Sequence, residues 1–77
     1  MTAKQLKDEI YTWMEVRRPP QWREGQYVFN YIDKVYGVAR EAQFKYNIDC
    51  FYWDEKIDKF IETCANIITQ LENEQSN

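Results

Sequence analysis

A mainly helical single domain is predicted by three apolar stripes and by the two breaks that separate them. The stripes are Leu6, Ile10, Trp13 and Met14, then Val28, Ile32, Val35 and Tyr36, then Ile57, Phe60, Ile61, Cys64, Ile67, Ile68 and Leu71. Each recurs at the three- and four-residue steps of one helix face. The breaks are Pro19-Pro20 and Gly37. The expected architecture is a small bundle of three main helices over residues 1–77, with a short two-stranded hairpin or irregular segment around 39–52. The alternative is an all-α chain with a short extra helix at 38–45.

The first helix is expected from about Ala3 to about Val16. Thr2 followed three residues later by Gln5 has the spacing of a capping box. Arg17 and Arg18 fall where positive charge suits the last carbonyls. Pro19 and Pro20 then stop the helix, because neither donates an amide and each disfavours helix in the residue before it. Gln21 to Gly25 is a connector containing Trp22.

The second helix is expected over roughly Glu24 to Tyr36, with Phe29 beside its stripe and Gly37 as a left-handed cap. From Val38 to Trp53 the signals conflict. Ala39 to Gln43 favour helix, whereas Phe44 and Ile48 to Trp53 include strand-favouring residues on either side of a Lys45-Tyr46-Asn47 turn candidate. The hairpin is narrowly preferred. The last helix is expected from Asp54, read as its own N-cap with Glu55 and Asp58 in the first turn, to Leu71. Residues 72–77 are polar and are expected to fray.

Composition narrows the function. Of 77 residues, 17% are aromatic (Trp 3, Tyr 6, Phe 4), more than so small a core can bury. Some rings must therefore lie on the surface, which is the composition of an interface. A net charge of −3 argues against long nucleic acid, whose binding needs a basic face. Met1 to Lys7 holds no apolar run of signal-peptide type, and nothing approaches a membrane span. A cytoplasmic protein is expected, with no membrane partner, and with Cys50 and Cys64 reduced and acting as small buried hydrophobes.

Arg23-Glu24-Gly25-Gln26 with Phe29 and Asn30, and later Asp49-Cys50-Phe51-Tyr52-Trp53-Asp54 leading into Ile57 and Phe60, resemble a family of small uncharacterised proteins of bacteriophages and bacteria. Its members carry an R-x-G-Q-x-x-F-N run and a D-x-F-Y-x-D run before a C-terminal helix. The resemblance covers about Arg23 to Ile61. It departs at Phe44, Lys45 and Tyr46, where many members have Arg-Gly-Thr ahead of the second run. It implies a phage or mobile-element origin and no particular activity. Folding alone accounts for Phe29, Phe51 and Asp54. Arg23, Gln26 and Asn30 lie one turn apart on one helix side, a polar ladder that either holds the loop before Asp54 or faces a ligand.

Catalysis has little support. The chain has no histidine, only Gly25 and Gly37 as glycines, no zinc spacing for its cysteines and no metal-ligand spacing among its carboxylates, so no catalytic, cofactor or metal residues are assigned. The candidate interaction surface is Arg17, Arg18, Trp22, Arg23, Gln26 and Asn30. Its plain alternative is that the arginines cap a helix end and Trp22 lids the core.

Two functions are carried forward. The first is a non-catalytic phage accessory protein that binds a host or phage protein, for instance inhibiting a host or defence protein. The second is a small binder that sequesters a nucleotide or signalling ligand, with Arg18, Arg23 and Trp22 supplying charge and stacking. Self-association is also expected. The last helix, about 27 Å long against about 21 Å for the first at 1.5 Å per residue, should overhang and offer Ile68 and Leu71 to a second copy in a homodimer or higher oligomer.

Overall fold

Thr2 starts the chain's first helix as its spacing predicts. Its hydroxyl accepts from the Gln5 amide at 3.1 Å and the Gln5 side chain accepts from the Thr2 amide at 2.8 Å, closing the capping box of α1 (Ala3–Arg17). In the computed structural model, which describes residues 1–75, three more α-helices follow: α2 (Glu24–Val35), α3 (Ala39–Lys45) and α4 (Ile57–Gln75). A single 3-10 turn, Asp54–Lys56, leads into α4.

Among the described residues no strand forms, so the hairpin expected around 39–52 is replaced by the alternative, a short extra helix. Ala39 and Ala42, three apart and both fully buried, let α3 lie close on its neighbours. An isolated two-stranded hairpin has no such partner and is marginal in water. Asn47 takes a left-handed conformation (φ 55°), and the amides of Tyr46 and Ile48 both reach the Ala42 carbonyl, so the turn candidate ends a helix. Phe44, counted as a strand residue, is 78% exposed. Gly37 ends α2 at φ +70°, its amide donating to the Ile32 carbonyl at 2.9 Å.

The core is built around α4. Phe60, Ile61 and Cys64 meet Leu6 and Ile10 of α1 and Val28 and Ile32 of α2, all essentially inaccessible to solvent. Phe29 sits between two rings, 5.5 Å from Phe60 and 5.6 Å edge-on to the half-buried Phe51. Met14 continues the buried row of α1, whereas Trp13, expected in the core, is 44% exposed. The row runs 6, 10, 14, and position 13 lies at its edge, so a side chain too large to tuck in turns outward.

α1 and α4 are antiparallel. The Met1 ammonium and carbonyl bracket the Thr69 hydroxyl at 3.2 and 2.7 Å, while Lys7, further along α1, pairs at 2.7 Å with Asp58 at the start of α4. This arrangement corrects the expected overhang. α4 exceeds α1 by 19 residues to 15, but Met1 extends the cover. Ile68 is 6% exposed within its own chain and only Leu71, at 41%, faces out. α4 continues to Gln75, and the rest of the tail expected to fray over 72–77 lies outside the described residues.

Candidate functional site

The two sequence motifs meet in space and hold the fold together. Arg23 precedes α2 with no side-chain cap of its own. Instead Asp54, expected to cap the last helix, reaches across the chain and accepts from the amide of Gly25, the second residue of α2, at 3.0 Å. It thereby supplies both the acceptor an N-cap provides and negative charge at the helix's positive end. The Cys50 thiol donates to the Gly25 carbonyl at 3.3 Å, and Arg23 donates to the Phe51 carbonyl at 2.9 Å while lying over the Tyr52 ring. Asp49 organises the loop, accepting from the Phe51 amide at 2.8 Å and from the Gln43 side chain at 2.9 Å. Arg23, Gly25, Asp49, Cys50, Phe51 and Asp54 thus form a latch between α2 and the 47–54 loop.

The thiols belong to the core. Cys50 and Cys64 are free and fully buried. Burial raises both above the usual thiol value, Cys64 to about 12, and the nearby Asp49 carboxylate adds to the rise at Cys50. Neither should react with a water-soluble thiol reagent in the native protein, and both should react in denaturant. A fast native reaction at either thiol, followed by absorbance, would contradict their place in the core.

A surface groove lies between α1 and α2. It has a volume of about 530 Å³ and is lined by Trp13 and Arg17 of α1, by Trp22, and by Tyr27, Asn30, Tyr31, Lys34 and Val35 of α2. The α2 set follows the helical repeat on a face adjacent to the core face of Val28, Phe29 and Ile32. Arg17 stacks over the Trp13 ring, 5.2 Å from its centroid. Trp22 is fixed by its backbone, its amide donating to the Pro19 carbonyl at 3.0 Å and its carbonyl accepting from Arg18 at 2.6 Å.

Glu9 of α1 braces the groove's far wall. It accepts the phenol hydrogens of Tyr31 at 2.8 Å and Tyr36 at 2.7 Å. Partial burial, reinforced by these bonds to Glu9, pushes both phenols up, Tyr36 to about 12. At neutral pH both remain protonated donors.

The six residues expected to share one surface divide. Arg17, Trp22 and Asn30 line the groove. Arg18 and Arg23 are held by backbone carbonyls, and Gln26 is half-buried outside the groove lining. Of the self-association pair, Ile68 is in the core and Leu71 is exposed. Sequence reasoning missed Tyr31 and Lys34 as groove residues and placed Trp13 and Val35 in the core-facing stripes. The second face of α2 was legible as the 27, 30/31, 34/35 spacing, but it was overshadowed by the stronger core stripe.

Among the described residues no three His, Cys, Asp or Glu side chains cluster as metal ligands, and no helix is long and apolar enough to cross a membrane. Fold and site together define a small all-helical protein with an aromatic surface groove. No known protein family, curated protein or solved structure matches the chain.

Proposed function

We propose that this is a non-catalytic accessory protein of a phage or mobile element that acts by binding another protein through the α1/α2 groove. The observation that carries the reading is the outward presentation of large apolar side chains there, Trp13 at 44% and Val35 at 52% exposed, beside Trp22, Tyr27 and Tyr31. An indole and an aliphatic side chain left in water beside the half-buried Trp22 and Tyr31 and the buried Tyr27 give this groove the composition of an interface. The phage or mobile-element part of the reading rests on the resemblance carried by the runs Arg23–Asn30 and Asp49–Asp54, whose residues meet in the latch. The nucleotide reading loses two of its three groups, since Arg18 and Arg23 are committed to carbonyl oxygens.

A photo-crosslinking amino acid placed at Trp13 or Val35 in the host cell should trap one and the same partner. Placed at Lys4, exposed on another face of α1, it should trap none. Identical adducts from all three positions, or none at 13 and 35, would refute the groove as the working surface.

A further inference from the structure

The charge of the groove differs from that of the chain. The protein has 13 acidic and 10 basic side chains, yet the groove lining has two cations, Arg17 and Lys34, one on each wall, and no carboxylate. Neither cation enters an ion pair among the described residues; those pairs engage Lys4, Lys7, Arg40, Lys45 and the N-terminal ammonium. The nearest carboxylate placed by a hydrogen bond to a lining residue is Glu9, which is occupied by the Tyr31 and Tyr36 hydroxyls behind the wall. Arg17 lies on the indole of Trp13, so its charge is held beside the apolar lining of the groove. The floor itself is Trp13, Trp22, Tyr27 and Val35.

Resting on the protein-binding reading above, we infer that the groove takes an acidic amphipathic segment of its partner. That segment places an aromatic or long aliphatic side chain on the Trp13/Trp22 floor and carboxylates, about one helical turn to either side, against Arg17 and Lys34. A groove of about 530 Å³ admits such a side chain with its flanks. Cations flanking an apolar floor select the partner by charge, since a basic segment would bring like charges together. A nucleotide is the poorer fit: one arginine already stacked on a ring and one lysine make a thin phosphate site, while the apolar floor matches a side chain.

The test uses a short helical probe peptide with Glu on its polar face and Leu and Trp on its apolar face, the same peptide with Lys for every Glu, and ATP. The indole NMR signals of Trp13 and Trp22 report the groove, and that of Trp53, which lies outside its lining, is the internal control. The Glu peptide should shift the first two and not the third, at least tenfold more tightly than the Lys peptide. The exposed pair Arg17→Glu/Lys34→Glu should reverse that order with the circular dichroism spectrum unchanged.

Equal shifts from both peptides would overturn the acidic preference while leaving a protein-binding groove. Shifts with ATP alone would overturn both readings in favour of a nucleotide site. No shift from any probe would overturn the inference as well, and the crosslinking at positions 13 and 35 then decides separately whether a partner docks there.

Discussion

Gly25→Ala should cost most of the stability of this domain. A Cβ built at Gly25 falls inside the contact distance of the Cys50 carbonyl oxygen and 2.8 Å from Asp54 Oδ1. The obstruction is backbone, so no rotamer change relieves it. Relief requires moving the 47–54 loop off α2, which breaks the Gly25–Asp54 and Cys50–Gly25 hydrogen bonds and shifts Phe51 from Phe29. Replacing helical glycine by alanine would ordinarily gain about 1 kcal/mol. Here that gain is outweighed, because even side-chain overpacking costs about 1–3 kcal/mol and this overlap is with main chain. A core of this size supplies only about 3–5 kcal/mol in total. The expected result is a thermal midpoint lower by at least about 10 °C, at roughly 4–8 °C per kcal/mol. Asp54→Ala, which removes only the acceptor, should cost about 1 kcal/mol, and Asp54→Asn less. A Gly25→Ala protein as stable as wild type would show that the loop does not sit on α2 as described.

Ile68→Glu is expected to act nearly as strongly, and by a different route from the one the sequence suggests. On the overhang reading this change would release monomers from an oligomer and leave the helices intact. In the structure Ile68 is 6% exposed and packs within its own chain, beside the turn where Thr69 holds both ends of Met1. Truncating such a side chain costs about 2–5 kcal/mol, and a carboxylate without a partner adds its desolvation. Loss of the cooperative urea transition should therefore follow. Leu71→Glu, one turn on and 41% exposed, should change stability by no more than about 0.5 kcal/mol. If Ile68→Glu instead kept its unfolding midpoint while its mass in light scattering fell, the residue would belong to an intermolecular contact.

The contrast between these two residues shows how far the sequence reaches. Three helices, the Thr2/Gln5 capping box, the Pro19-Pro20 stop and the Gly37 cap were all legible, because each depends on neighbours within about one turn of chain. The core membership of Phe60, Ile61 and Cys64 was legible as well, since helical periodicity places them on one stripe. The choice between helix and hairpin at 39–45 was not, because local propensities there nearly balance and the burial of Ala39 and Ala42 decides it.

The same limit explains the latch and the groove. Asp54 reads as the cap of the helix it precedes, yet its hydrogen bond goes to Gly25, 29 residues away. A carboxylate's partner is set by whichever free amides the fold brings near it, and sequence distance does not encode that. Likewise Arg17, Trp22 and Asn30 could be picked out by type, but only the packing of α1 on α2 joined them with Trp13 and Lys34 and spent Arg18 and Arg23 on backbone carbonyls. Local patterning determined the helices and most of their buried faces. Tertiary contact decided which residues of those faces were consumed and which were left exposed, because exposure is a property of how helices pack against each other.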